Sequence, residues 1–88
     1  MKISILGLGY VGCVSAGCLA NTGHKVLGVD LNLDKVNQIN SGVATIIEKD
    51  IDSIIKEQYE KGNISATNDT ILSVKKTDVS IICVGTPS

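Results

Sequence analysis

The stretch that decides the fold is Gly7-Leu8-Gly9-Tyr10-Val11-Gly12, a G-x-G-x-x-G sequence that directly follows the β-branched, apolar run of residues 2–6. An apolar run stopped by glycine is typical of a strand that ends in a tight turn. After the turn, Gly12, Ala16 and Ala20 recur at every fourth position, which places them on one face of a helix. Because these residues carry almost no side chain, we expect the helix to lie very close to a sheet.

The rest of the chain continues this alternation of strands and helices. Apolar runs predict further strands at residues 25–29, 64–67 and 79–84. Helical spacing of apolar residues, with suitable residues at the ends, predicts helices at about 32–41, 50–61 and 69–76. The order β-α-β-α-α-β-α-β with short connections predicts an α/β fold, an incomplete Rossmann-type parallel sheet of about four strands with helices on both faces.

The composition excludes several classes of protein. Eighty-eight residues allow one small domain, and 12 Ile, 9 Val and 7 Leu against 2 Tyr and no Phe or Trp favour an aliphatic core. Eight lysines, no arginine and nine acidic residues leave a net charge of −1, which provides no positive field for a nucleic acid. We therefore expect no nucleic-acid partner.

A membrane segment is an alternative interpretation of the amino-terminal region, because residues 3–23 carry no charge. Residues 15–18, Ser-Ala-Gly-Cys, also resemble a lipoprotein cleavage site. However, the interior glycines of this region would each cost about 1 kcal/mol in a membrane helix, and only Lys2 precedes it. We therefore expect the strand, turn and helix described above, and no membrane association.

The cysteines do not predict a metal site or disulfides. Cys13, Cys18 and Cys83 are an odd number at no metal-ligand spacing, and each lies in an apolar run. This pattern is typical of small core residues in a reducing compartment. Because His24 is the only histidine, we expect no bound metal.

The glycine-rich stretch indicates a dinucleotide-binding turn, because it lies between a predicted strand and a predicted helix. In such a turn, Gly7 makes the tight bend, Gly9 lets the backbone approach a pyrophosphate, and Gly12 allows close packing of the helix on the sheet. The phosphates would lie on unpaired N–H groups at the start of the helix, beside Tyr10 and Val11. The alternative is a turn without a ligand.

Asp30 ends the second predicted strand, 23 residues after Gly7, where a carboxylate can accept hydrogen bonds from an adenosine ribose. Its alternative role is that of a turn residue. A carboxylate at this position repels a 2′-phosphate, and the chain has no arginine to bind one, so the expected cofactor is NAD rather than NADP. FAD uses the same turn and stays open. Lys35 and Thr86 are further candidate contacts, with a solvated lysine and a turn threonine as alternatives.

Longer stretches resemble a known family. Residues 5–12, 16–19, 23–30 and 82–88 resemble the N-terminal segment of the nucleotide-sugar 6-dehydrogenases, the UDP-glucose and GDP-mannose 6-dehydrogenase family. The Gly-Tyr-Val-Gly loop together with the Val-Gly-Thr-Pro strand end is far more specific than a dinucleotide turn alone. The resemblance covers essentially the whole chain and implies NAD contacts at five residues: Tyr10, Val11, Asp30, Lys35 and Thr86.

One segment departs from the family pattern. Residues 47–51 read Ile-Glu-Lys-Asp-Ile, where the family usually has Glu-Pro-Gly-Leu. The missing Pro and Gly put the entry to the following helix, and any contact made by that loop, in question.

Members of this family oxidise the C6 alcohol of the sugar to a carboxylate with two NAD⁺, using a cysteine nucleophile in a later part of the chain. The resemblance therefore implies that residues 1–88 are the N-terminal part of the NAD-binding domain of a cytoplasmic, homo-oligomeric enzyme. They would contain no catalytic residue, and the nucleophilic cysteine is expected beyond Ser88. GDP-mannose is favoured over UDP-glucose as the substrate.

Two other functions stay open, a 2-hydroxyacid or 6-phosphogluconate-type dehydrogenase and a non-catalytic NAD-sensing module. Because the sequence stops at Ser88, shortly after a predicted strand, we expect a fragment.

Overall fold

The computed structural model describes residues 1–83, and this part of the chain contains the strands and helices in the predicted order. Thr86, Ser88 and the end of the last predicted strand lie outside these residues. The strands are β1 (Lys2–Leu6), β2 (Lys25–Val29), β3 (Ile64–Thr67) and β4 (Val79–Ile82). The helices are α1 (Tyr10–Asn21), α2 (Leu33–Ile39), α3 (Lys49–Glu60) and α4 (Thr70–Lys76).

The strands form one parallel sheet in the order β3-β2-β1-β4. Leu6 pairs with Val29 on one side and with Ile82 on the other, so β1, β2 and β4 end at the same edge of the sheet. The chain returns from β3 past β2 and β1 to reach β4, so the strand order reverses between β1 and β4. The predicted α/β parallel sheet is confirmed.

Capping residues explain where the helices begin. The side chains of Asn32 and Asp69 accept backbone N–H groups in the first turns of α2 and α4. Glu48 accepts the N–H of Asp50 at 3.1 Å and starts α3 in the same way. Because side-chain oxygens satisfy N–H groups that lack a helical partner, α3 begins close to the predicted position without the family's Pro and Gly.

Small residues bring α1 against one face of the sheet. Gly12, Ala16 and Ala20 are all buried, as their spacing predicts. Helix α3 packs against α1, where a Cβ atom added to Gly17 would lie 3.4 Å from Cδ1 of Ile55. The helices α1 and α3 and the strands β1 and β2 thus enclose one apolar core.

The other face of the sheet is covered by α4 and has a more polar interior. Ser4 alternates with the core residues of β1 and therefore points to this side. Its hydroxyl is fully buried, lies 2.7 Å from that of Ser80 and accepts the Thr77 hydroxyl at 3.0 Å. Strand β4 is exposed along its length, and large apolar side chains of α4 such as Ile71 are also exposed.

The three cysteines differ in their environment. Cys13 is buried and Cys83 is half-buried, but Cys18 is exposed, so the prediction that all three are core residues is wrong for Cys18. Two residues along a helix correspond to a rotation of about 200°. Cys18 follows the buried Ala16 by two positions, and its side chain therefore points away from the sheet.

Candidate dinucleotide site

The turn between β1 and α1 has a backbone conformation that favours glycine. Gly7 has a φ of 110°, and its N–H donates to the carbonyl oxygen of Val29 at 2.7 Å. Residues with a side chain rarely adopt this φ. The chain therefore bends sharply at Gly7, and helix α1 begins three residues later at Tyr10.

Gly12 allows α1 to lie directly on this turn. A Cβ atom built on Gly12 would collide with the carbonyl oxygen of Gly7 and would lie 2.9 Å from its carbonyl carbon. It would also lie 3.4 Å from the Cβ of Cys83, which follows β4. The start of the helix, the turn and the end of β4 thus meet at the position where Gly12 has no side chain.

Gly9 has open space in front of it, in contrast to Gly12. A Cβ atom built on Gly9 would have no atom of another residue within 4 Å among residues 1–83. The φ of −77° and ψ of −159° at Gly9 are also open to other residues. Nothing within this part of the chain therefore requires glycine at position 9, and a ligand that approaches the backbone closely would require it.

The start of α1 presents unpaired donors at this open space. Gly9 precedes the helix without a side-chain cap, and the first turn contains no acidic residue. Within residues 1–83, the N–H groups of Tyr10, Val11 and Gly12 have no acceptor, and the side chains of Tyr10 and Val11 are exposed. The positive end of the helix dipole adds to these donors, so the turn can bind a phosphate.

Asp30 lies directly after β2, beside the same turn. Its Oδ2 accepts the N–H of Leu8 at 2.9 Å, and its Oδ1 accepts the N–H of Asn32 at 2.9 Å. A carboxylate offers about four acceptor positions, so further positions stay open for ribose hydroxyls. The half-buried Asp30 therefore links the glycine turn to the expected ribose position.

Leu8 is a part of the turn that the sequence pattern did not single out. Its side chain is completely buried, and a Cβ atom on Gly28 of β2 would lie 2.7 Å from its Cδ2. Its carbonyl oxygen accepts the hydroxyl of Thr45 at 2.8 Å. The fingerprint treats position 8 as variable and includes neither Gly28 nor Thr45. The only sequence signal was a glycine inside an apolar strand, which often marks a close approach.

The remaining candidate residues are less closely tied to the turn. Lys35 lies half-exposed in the first turn of α2, five residues after Asp30. Within the part of the chain that the structure describes, the Lys35 ammonium forms no ion pair. Thr86 lies outside that part. The structure therefore brings together six of the predicted residues: Gly7, Gly9, Tyr10, Val11, Gly12 and Asp30.

A cavity of about 390 Å³ opens beside Asp30 at the carboxyl ends of the strands. Its lining comes from the ends of β1, β2 and β4 and from the start of α4, and it includes Leu6, Gly7, Val29, Asp30 and Ile82. Ligands of open α/β sheets bind at this edge, where the strand order reverses. A larger cavity, of about 810 Å³, lies near the amino ends of β1 and β2 and does not include the turn.

Metal sites and membrane spans are absent from the described part of the chain. Between residues 1 and 83, no three His, Cys, Asp or Glu side chains lie close enough together to bind a metal ion. None of the helices in that range is both long and apolar enough to cross a membrane.

Comparison with known proteins identifies the family. The model of the UDP-glucose/GDP-mannose dehydrogenase family, NAD binding domain, matches residues 1–88. The chain belongs to this family. The resemblance predicted from the glycine turn and the last strand is thereby confirmed, and NAD is the cofactor of the family's domain.

Individual members of the UDP-glucose/GDP-mannose dehydrogenase family are similar over the whole chain. GDP-mannose 6-dehydrogenase of Pseudomonas aeruginosa is 48% identical over 88 residues, which are 100% of this chain and 20% of that enzyme. UDP-glucose 6-dehydrogenase of Rhizobium meliloti is 39% identical, with the same shares covered. The crystal structure of a ternary complex of the P. aeruginosa GDP-mannose dehydrogenase matches with a TM-score of 0.96 and 48% identity, over 100% of this chain and 20% of that one.

Proposed function

We propose that this chain is the NAD-binding portion of a nucleotide-sugar 6-dehydrogenase that oxidises GDP-mannose to GDP-mannuronate. The observation that carries the proposal is the open backbone at Gly9 next to the carboxylate of Asp30, in a member of this family. GDP-mannose is favoured because the enzyme acting on it is 48% identical, compared with 39% for the UDP-glucose enzyme. UDP-glucose stays the alternative substrate.

Each candidate residue has a physical role in this proposal. The N–H groups of Tyr10 and Val11, which have no acceptor within residues 1–83, bind the pyrophosphate of NAD⁺, and the open Gly9 backbone lets it approach. The free acceptor positions of Asp30 bind the ribose hydroxyls, and Lys35 and Thr86 complete the contacts. When bound, NAD⁺ supplies the acceptor for the hydride that leaves the sugar C6.

The carboxylate of Asp30 also accounts for the choice of NAD⁺ over NADP⁺. A 2′-phosphate would bring negative charge to a group that already accepts two backbone N–H groups and cannot donate. The chain contains no arginine to bind that phosphate. These two features support a site selective for NAD⁺.

The sugar chemistry itself is proposed to lie outside these 88 residues, which span 20% of the length of the curated relatives that they match. Residues 1–88 form the N-terminal part of the NAD-binding domain, and the nucleophilic cysteine belongs to the remainder of the enzyme, beyond Ser88. We further propose a homo-oligomer that acts on a nucleotide sugar. Free Cys13, Cys18 and Cys83 support a cytoplasmic location, because thiols persist in reducing compartments.

A non-catalytic NAD-sensing module is the second candidate function. It is supported by the candidate site within residues 1–83, where every residue has a proposed role in binding NAD⁺ and none has a role in catalysis. A chimera distinguishes the two, with residues 1–88 replacing the matching part of the P. aeruginosa enzyme. We expect the chimera to form NADH from GDP-mannose, the substrate of the host enzyme, and the 88-residue chain to form none. A chimera that binds NAD⁺ but oxidises neither sugar would favour the sensing module. Turnover by the 88-residue chain would place the nucleophile within it and would show that no cysteine beyond Ser88 is needed.

A further inference from the structure

The peptide groups on both sides of Leu8 are held by side chains from distant parts of the chain. The Leu8 N–H donates to Oδ2 of Asp30 at 2.9 Å. The Leu8 carbonyl oxygen accepts the hydroxyl of Thr45 at 2.8 Å. These two hydrogen bonds join residues 22 and 37 positions apart in the sequence, so neither follows from the turn itself.

Thr45 is itself held in place by the start of α3. The preceding residue, Ala44, is buried, and its N–H donates to Oδ1 of Asp52 in the first turn of α3 at 3.1 Å. Glu48 caps the same helix. The segment that carries Thr45 is therefore hydrogen-bonded to the amino end of α3, a helix of twelve residues.

The Leu8 carbonyl and the Gly9 N–H belong to the same planar peptide group, so the bond from Thr45 also fixes the direction of the Gly9 N–H. In a trans peptide, the C=O of one residue and the N–H of the next point in opposite directions. The bond from Thr45 to the Leu8 carbonyl therefore directs the Gly9 N–H away from Thr45. That N–H has no acceptor among residues 1–83. A glycine without such a constraint has access to many backbone conformations.

We infer that Thr45 is a positioning residue of the NAD⁺ site, an inference that rests on the proposed function. Its hydroxyl holds the Leu8–Gly9 peptide in the orientation that presents the Gly9 N–H to the pyrophosphate. Without this hydrogen bond, the peptide is less ordered in the free protein, and part of the free energy of NAD⁺ binding is used to order it. A hydrogen bond of this kind contributes about 1 kcal/mol. Its loss should therefore raise the Kd for NAD⁺ by about three- to tenfold.

The test compares variants with and without the hydroxyl. Thr45→Val keeps the shape of the side chain, Thr45→Ala removes the hydroxyl without adding a methyl group, and Thr45→Ser keeps the hydroxyl. The matched control is Thr22→Val, because the Thr22 hydroxyl also donates to a backbone carbonyl, that of Leu19 at 2.9 Å, at the other end of α1. The measurements, made on the chimera described above, are calorimetric titration with NAD⁺, thermal unfolding without it, and amide hydrogen exchange of Gly9 in the NAD⁺ complex.

The expected result is a higher Kd for NAD⁺ and faster Gly9 exchange in the NAD⁺ complex for both variants that lack the hydroxyl, and near-normal values in Thr45→Ser and Thr22→Val. An equally weak Thr45→Ser would show that the loss of binding does not depend on the hydroxyl and would overturn the inference, as would a loss of binding that only follows a loss of thermal stability. Unchanged binding in Thr45→Val, with NAD⁺ bound by the chimera that keeps Thr45, would overturn the role of Thr45 alone. A chimera with the original Thr45 that does not bind NAD⁺ would overturn the proposed function and this inference with it.

Discussion

The carboxylate of Asp30 accepts the backbone N–H of Leu8 across 22 residues of sequence, at 2.9 Å. The residue expected to bind the ribose is thus also a support of the glycine turn. Because one carboxylate would contact both parts, we expect the ribose and pyrophosphate portions of the proposed site to be held at a set separation. Variants of Asp30 should therefore change more than the ribose contact.

Replacement of Asp30 by alanine should weaken NAD⁺ binding about tenfold or more. The change removes hydrogen bonds to a charged acceptor, each worth about 1.5–3 kcal/mol, and also the support of Leu8. It should weaken NADP⁺ binding less, because the charge that repels the 2′-phosphate is removed. Calorimetric titration with both dinucleotides measures this difference. Unchanged NAD⁺ affinity in Asp30→Ala would show that Asp30 does not contact NAD⁺.

Replacement of Gly9 by valine should abolish dinucleotide binding while the fold is retained. Open space surrounds a Cβ atom at this position within the described residues, so the side chain fits the free chain but occupies the approach to the backbone. Circular dichroism should show unchanged helical content, and titration should show no binding of NAD⁺. Gly9→Ala should give an intermediate loss. Retained binding in Gly9→Val would mean that the loop is only a turn.

Replacement of Gly12 by alanine should instead destabilise the fold, by about 1–3 kcal/mol, because its methyl group would collide with the Gly7 backbone. The matched control on the same helix is Gly17→Ala, whose methyl group would make an ordinary contact with Ile55. It should be neutral or stabilising, because alanine favours a helix over glycine by about 1 kcal/mol. Urea unfolding of both variants measures the free energies. Equal stabilities would show that α1 does not require the close approach at Gly12.

The 88-residue chain should self-associate in solution. Strand β4 is exposed along its length, and Ile71 and Ile82 are each 70% exposed. Unpaired edge strands and exposed apolar patches favour association. Sedimentation velocity over a range of concentrations should show oligomers, and Ile71→Lys should reduce them with little effect on thermal unfolding. A concentration-independent monomer would contradict this expectation.

The order of strands and helices follows from the sequence because each element carries a local signal. Apolar β-branched runs, the small-residue strip of α1 and the helical spacing of apolar residues act over a few positions, and the structure agrees with the elements that they predict. The bend at Gly7 and the close packing at Gly12 follow from the same local pattern, because both roles depend on the absence of a side chain. The predicted burial of Cys18 was wrong, because an apolar run alone does not indicate which face of a helix is buried.

Only the tertiary structure decided which distant residues support the turn. Thr45 lies in a segment without a strong pattern, and its hydroxyl reaches Leu8 because α3 and β2 bring both into the same region. Gly28 accommodates the Leu8 side chain only after β2 pairs with β1. Local sequence therefore determined the elements and the glycine turn, whereas the contacts that hold the turn depend on packing between residues far apart in the chain. Such contacts leave no periodic signal, because each requires a single side chain at a single position.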